Sequence, residues 1–146
     1  MPTLHVEIEM NVSRSLVWEA LCRKDQWKQW NTFLFDRTPQ QTLTRGHSLI
    51  LALQRLPKEP ETQFQAIVTH VEADTCLKWI AIAPGYRSEH IFELFDLDGE
   101  RTRYFHREKV SGVLSPLFFP FIRKDEHRGI RRMAMDLKEY VEARCF

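Results

Sequence analysis

The sequence predicts an α+β fold in which a curved antiparallel sheet wraps around a long C-terminal helix, with two short helices after the first strand. Three observations predict it. Residues 121–144 carry Ile122, Ile130, Met133, Leu137 and Val141 along one helical stripe, and their spacings are multiples of three or four. Most segments before residue 112 alternate apolar and polar positions with the period of a strand. Turn residues separate those segments at short intervals. At ~1.5 Å per residue, about 24 helical residues make a rod roughly 36 Å long, enough to lie across one face of a sheet. A sheet of this kind cannot bury both its faces alone, so the rod supplies the cover.

The elements follow in order. Leu4, Val6, Ile8 and Met10 alternate with His5, Glu7, Glu9 and Asn11, which reads as a half-buried strand. Asn11 or Ser13 is placed to cap a helix over 13–22, with Leu16, Ala20 and Leu21 on its apolar side. A second short helix or turn covers 25–30 and sets Trp27 and Trp30 three positions apart. The chain then leads out toward Pro39. A strand over 47–56 is apolar on both faces at its centre. Strands over 63–72 and 76–83 follow, the second with Leu77, Trp79 and Ala81 on one face. Residues 87–96 place His90, Phe92 and Leu94 on one face, and Asp98-Gly99 marks a hairpin. Residues 101–111 return with Thr102, Tyr104, His106, Glu108 and Val110 on one face. Ser115-Pro116 and Pro120 are expected to break the chain before the long helix.

Size and composition bound the function. At 146 residues the chain is read as one domain, 1–146. A formal net charge of +1 supplies no field to attract nucleic acid. The longest apolar run, residues 113–122, holds two prolines and falls short of the ~20 residues of a membrane span. Three cysteines without a CxxC pair, Cys22, Cys76 and Cys145, fit free thiols in a reducing compartment. Charges among the first 20 residues argue against a signal peptide. A cytoplasmic protein, monomeric or homodimeric, is expected.

Val17-Trp18-Glu19-Ala20-Leu21, Trp27, Trp30-Asn31 and Phe33, and Leu77-Lys78-Trp79 resemble the SRPBCC (START-like) superfamily. The hairpin from Glu89-His90-Ile91-Phe92-Glu93-Leu94 through Gly99-Glu100-Arg101-Thr102 to Glu108 and Gly112 is similar to its polyketide cyclase/dehydrase and lipid-transport branch. Met133, Leu137-Lys138 and Glu142 match as well, so the resemblance spans nearly the whole chain. It implies a helix-grip fold around a hydrophobic cavity between sheet and helix. It implies a lipid, sterol or polyketide-like ligand, or a cyclase or dehydratase acting on one. Members that work as ligand-free, co-chaperone-like interaction modules supply a third reading.

His90, His106 and Glu108 are the candidate catalytic residues. His106 and Glu108 share a strand face at a spacing of two, and burial beside a cavity brings such groups toward neutral pKa values. The same residues are also explained as wall groups satisfied by an arginine or by backbone. The candidate ligand-binding set is Trp27, Trp30, Phe33, Trp79, Phe92, Tyr104, Gly129 and Met133. Trp27, Trp30 and Phe33 form either a lid or the pins that hold the short helices to the sheet. Gly129 in mid-helix costs about 1 kcal/mol against alanine, so close packing or an opening for ligand is expected there.

The six histidines show no HxH or HExxH spacing, so no metal is expected. No phosphate-binding glycine loop or GxSxG occurs, and no cofactor is expected. The basic set Arg123, Lys124, His127, Arg128, Arg131 and Arg132, interrupted by Asp125 and Glu126, reads as a solvated helix face.

Overall fold

The structure, a computed structural model, describes residues 2–144. The elements are β1 (Thr3–Met10), α1 (Arg14–Cys22), a 3-10 helix (Lys24–Gln29), β2 (Leu34–Asp36), β3 (Ser48–Leu53), β4 (Thr62–Glu72), β5 (Cys76–Ala83), β6 (Tyr86–Asp96), β7 (Thr102–Ser111) and α2 (Ser115–Ala143). Seven strands form one antiparallel sheet in the order β1-β7-β6-β5-β4-β3-β2. A register shift between Val68 and His70 interrupts the β4–β5 pairing. The α2 helix packs against β1, β7 and α1.

The inward faces are those the alternation predicts. Leu77 and Trp79 of β5, Phe92 and Leu94 of β6, and Tyr104 of β7 are all buried. Opposite them, Ile130, Met133, Leu137 and Val141 of α2 are buried too. Ile122 is half-buried and packs against the same core.

The helices differ from expectation in three places. The α1 helix buries Val17 and Leu21, one turn apart, whereas Leu16 stays 43% exposed. Ser13 caps it through its carbonyl, which accepts from Leu16 N at 3.2 Å, and makes no side-chain capping bond. The α2 helix begins at Ser115, six residues earlier than expected. Pro116 falls in the first turn, where its missing N–H costs no bond. Pro120 forfeits one bond inside the helix, yet Phe119 beside it is buried in the core and holds the turn in place.

One strand was not legible in the pattern. The three residues of β2 are too few to show a period, and the strand exists through tertiary bonds. The buried Lys24 Nζ donates to Asp36 Oδ1 at 2.8 Å and to the Thr38 carbonyl at 2.5 Å. Two α2 side chains bind the same edge. Arg132 donates to the Arg55 carbonyl at 3.0 Å and the Gln54 carbonyl at 2.6 Å, and Asp136 accepts from the Thr32 hydroxyl at 2.5 Å. Arg132 is therefore a structural clamp rather than part of a solvated face. Cys22 and Cys76 are free thiols; Cys145 lies outside the described residues.

Candidate functional site

The space between the sheet and α2 divides along the helix. Under the C-terminal half it is filled. Trp27 donates from Nε1 to the Leu21 carbonyl at 2.9 Å and lies 6.2 Å from Trp79, ring centre to ring centre. Trp30 stacks on Tyr140 at 6.1 Å. These two tryptophans pin the short helices. Tyr140 lies 22 residues along α2 from Phe118, about 33 Å at ~1.5 Å per residue, which sets the Trp30 pin at the far end from the opening described next, whereas Trp27 packs on Trp79, itself 5.7 Å from His90. Gly129 serves close packing: a Cβ there would come within 2.4 Å of Phe33 Cε1. Phe33, Trp79, Phe92, Tyr104 and Met133 are completely buried. None of the eight residues expected to bind ligand lines the opening.

Under the N-terminal half of α2 the space opens into a cleft of about 340 Å³. Leu53, Phe64 and Ala81 wall it from the sheet, and Phe118 and Ile122 wall it from the helix. Tyr86, Ser88, His90 and Glu108 reach it from β6 and β7, Arg55 from the segment after β3, and Glu126 from α2. The cavity inferred from the resemblance is thus present, but confined to one end and open there.

Its polar end is built by the hairpin register. His90 on β6 pairs directly with Glu108 on β7, so both project to the concave side. Ser88 Oγ donates to Glu108 Oε2 at 2.5 Å. His90 Nε2 lies 3.7 Å from the same oxygen. Burial pulls the His90 pKa down to about 4, with Glu126 opposing, so the ring is neutral and this contact is not an ion pair. His90 Nδ1 meets His106 Nε2 at 3.0 Å, one ring donating to the other. Burial, and then His90, hold His106 well below the usual histidine range.

Glu126 completes the set. It is 1% exposed, and Arg55 Nε donates to its Oε1 at 2.7 Å. Burial pushes its carboxyl up to about 8, Glu108 adds to the rise, and Arg55 opposes it. Nitrogen and oxygen atoms of His90, Glu108 and Glu126 lie within 4.8 Å of one another. Glu108 Oε1 is buried without a hydrogen-bond partner among the described residues.

Two of the three expected catalytic residues therefore reach the cleft, and the third backs one of them. His106 is completely buried, stacked on Phe92 at 4.1 Å. Tyr104 is equally buried, and its hydroxyl finds no partner among the described residues. Sequence reasoning missed Arg55, Ser88 and Glu126. Glu126 had a signal: it falls midway in the eight-residue gap between Ile122 and Ile130, a charge set in an apolar stripe. Ser88 had one too, since it continues the inward alternation of His90 and Phe92.

No family model and no curated protein matches the sequence. Solved structures do match. A START superfamily protein from Mycobacterium smegmatis superposes with a TM-score of 0.74 over 97% of each chain at 15% identity. A norcoclaurine synthase point mutant from Thalictrum flavum, in complex with a transition-state analogue, reaches 0.71 at 13% identity, covering 98% of this chain and 95% of that one. DynU16, from the dynemicin biosynthetic locus, reaches 0.70 at 19% identity over 96% of this chain and 47% of its own. At such identities the likeness is one of fold, and it bears out at that level the START-like resemblance read in the sequence. No helix among the described residues is long and apolar enough to cross a membrane.

Proposed function

We propose that the protein binds an apolar small molecule in this cleft, with the ligand's polar group set against Ser88, His90, Glu108 and Glu126. One observation carries the reading: a cleft of about 340 Å³ whose walls are mostly apolar and whose polar groups converge at one end. That is the usual build of a small-molecule site, near the lower end of the ~300–1,000 Å³ such sites span. A compact lipid or polyketide-like ring system suits that volume better than a full sterol. A naphthalenesulfonate dye is expected to bind the folded protein and to be displaced by such a ligand. Ala81→Trp, which fills the cleft from the β5 wall, is expected to abolish dye binding while leaving the folded signal intact. Dye binding that survives this substitution unchanged would place the ligand elsewhere and end the proposal.

An acid–base enzyme of the cyclase or dehydratase kind is the second reading. It is favoured by the convergence of one imidazole and two carboxyl groups where a bound molecule would meet them. It would work without direct contact from His106 or Tyr104. Turnover of a polyketide-like substrate that persists in the combined His90→Ala and Glu108→Gln variant would remove it.

A further inference from the structure

We propose that His90, Glu108 and Glu126 form a binding site for a divalent transition-metal ion of the zinc class at the floor of the cleft. The three side chains come from β6, β7 and α2, and each is at most 2% exposed. Their candidate donor atoms lie within 4.8 Å of one another, and His90 Nε2 is 3.7 Å from Glu108 Oε2. Tetrahedral ligands at ~2.0–2.2 Å from a metal sit roughly 3.3–3.6 Å apart, so closure needs only small side-chain rotations.

Two further observations point the same way. Glu108 Oε1 is buried and unpartnered while its sister oxygen is engaged by Ser88. A buried carboxylate oxygen without a donor is costly, and either a proton on the neighbouring Glu126 or a bound cation supplies what is missing. Each prospective ligand is also held by a separate group behind it. Ser88 orients Glu108, Arg55 orients Glu126, and His106 meets the second nitrogen of His90. Ligation through His90 Nε2 places its proton on Nδ1, from which it is donated to His106 Nε2. Such outer partners fix the tautomer and rotamer of ligating side chains.

Charge and chemistry select the ion. Ionised together, two carboxylates facing one guanidinium carry an unbalanced negative charge, which a divalent cation binding in place of a proton neutralises. One imidazole nitrogen with two carboxylate oxygens suits zinc, cobalt, iron(II) or manganese, whereas magnesium and calcium prefer oxygen-only shells. Three protein ligands leave a position open toward the cleft, the arrangement of catalytic rather than structural zinc sites.

The inference shares the cleft of the proposed function but not its organic ligand, and the metal alone tests it. Chelator-treated full-length protein is titrated with zinc(II) by calorimetry, and with cobalt(II) by visible absorption. The expected result is one equivalent per chain, with a cobalt spectrum of four- or five-coordinate intensity and a melting temperature that rises with zinc. His90→Gln and Glu126→Gln are each expected to abolish that uptake, and Ser88→Ala to weaken it about ten-fold. His127→Ala, half-buried on α2 with its Nε2 3.2 Å from the His5 carbonyl of β1, is expected to leave it unchanged. Absence of one-to-one uptake by the wild-type protein would overturn the site, as would uptake unaltered in both His90→Gln and Glu126→Gln. Should Glu126→Gln fail to fold, His90→Gln and the wild-type cobalt spectrum decide. Zinc uptake lost with dye binding intact overturns only the metal site; dye binding lost with zinc uptake intact overturns only the apolar-ligand reading.

Discussion

The two halves of α2 face the same sheet with the same helical period, yet one half closes against it and the other stands open. In the C-terminal half, Ile130, Met133, Leu137 and Val141 meet buried aromatics, and Gly129 lets Phe33 lie against the helix backbone. In the N-terminal half the corresponding stripe holds Ile122 and Glu126, with Phe118 48% exposed at the rim. A carboxyl group cannot be sealed in an apolar interface without partners, so its neighbourhood is polar and reachable from the cleft. Stability is concentrated in one half of the interface, and the chemistry is concentrated in the other.

That contrast can be broken most directly at Trp79, which sits where the closed half meets the polar end, 4.9 Å from Phe92, 6.2 Å from Trp27 and 5.7 Å from His90, ring centre to ring centre. Trp79→Ala should cost about 3–5 kcal/mol in chemical denaturation, because the closed half has no slack to refill the void. A cost below about 1 kcal/mol would mean that this half is loosely packed.

In the open half, replacing the part-buried pair outright, with Arg55→Met and Glu126→Leu together, should leave stability unchanged or raise it by about 1–4 kcal/mol. The same double variant should lose affinity for any ligand that carries a polar group. A large loss of stability instead would make the pair a structural element.

At the junction of the halves, Gly129→Ala should destabilise by about 1–2 kcal/mol. Helix propensity favours alanine by about 1 kcal/mol, and the clash with Phe33 outweighs it. Adding Phe33→Leu should recover part of the loss, and strict additivity of the two would show that they do not touch.

Phe118→Ala at the rim should shift stability by less than about 0.5 kcal/mol while weakening dye binding. The smallest signal is expected at Cys22 on α1. Burial, helped by Asp74, pushes its thiol up to about 12, so at pH 8 it remains protonated. Alkylation mapped by mass spectrometry should label Cys22 in the native protein far more slowly than after denaturation.

How much of this was legible in the sequence varied with range. The β6–β7 hairpin was: Asp98-Gly99 marks the turn and the period of two puts His106 and Glu108 on one face, while the direct pairing of His90 with Glu108 is set by the register. The eight residues expected to hold ligand are all buried, but buried is not cleft-lining. Whether a buried aromatic ends in a solid core or on a cavity wall depends on how far α2 stands from the sheet above it. No periodicity encodes that separation.

From the chain alone came six of the seven strands, the two short helices, the long terminal helix and their layering, because each follows from local period and turn chemistry. Only the tertiary structure decided where the interface stays open, that Arg55 and Glu126 meet there, and that His106 stands behind His90 and away from the cleft. The physical reason is that a cleft is a shortage of side-chain volume at one point in space, set jointly by β3 to β7 and α2. Residues far apart in the chain must be brought together before that shortage exists.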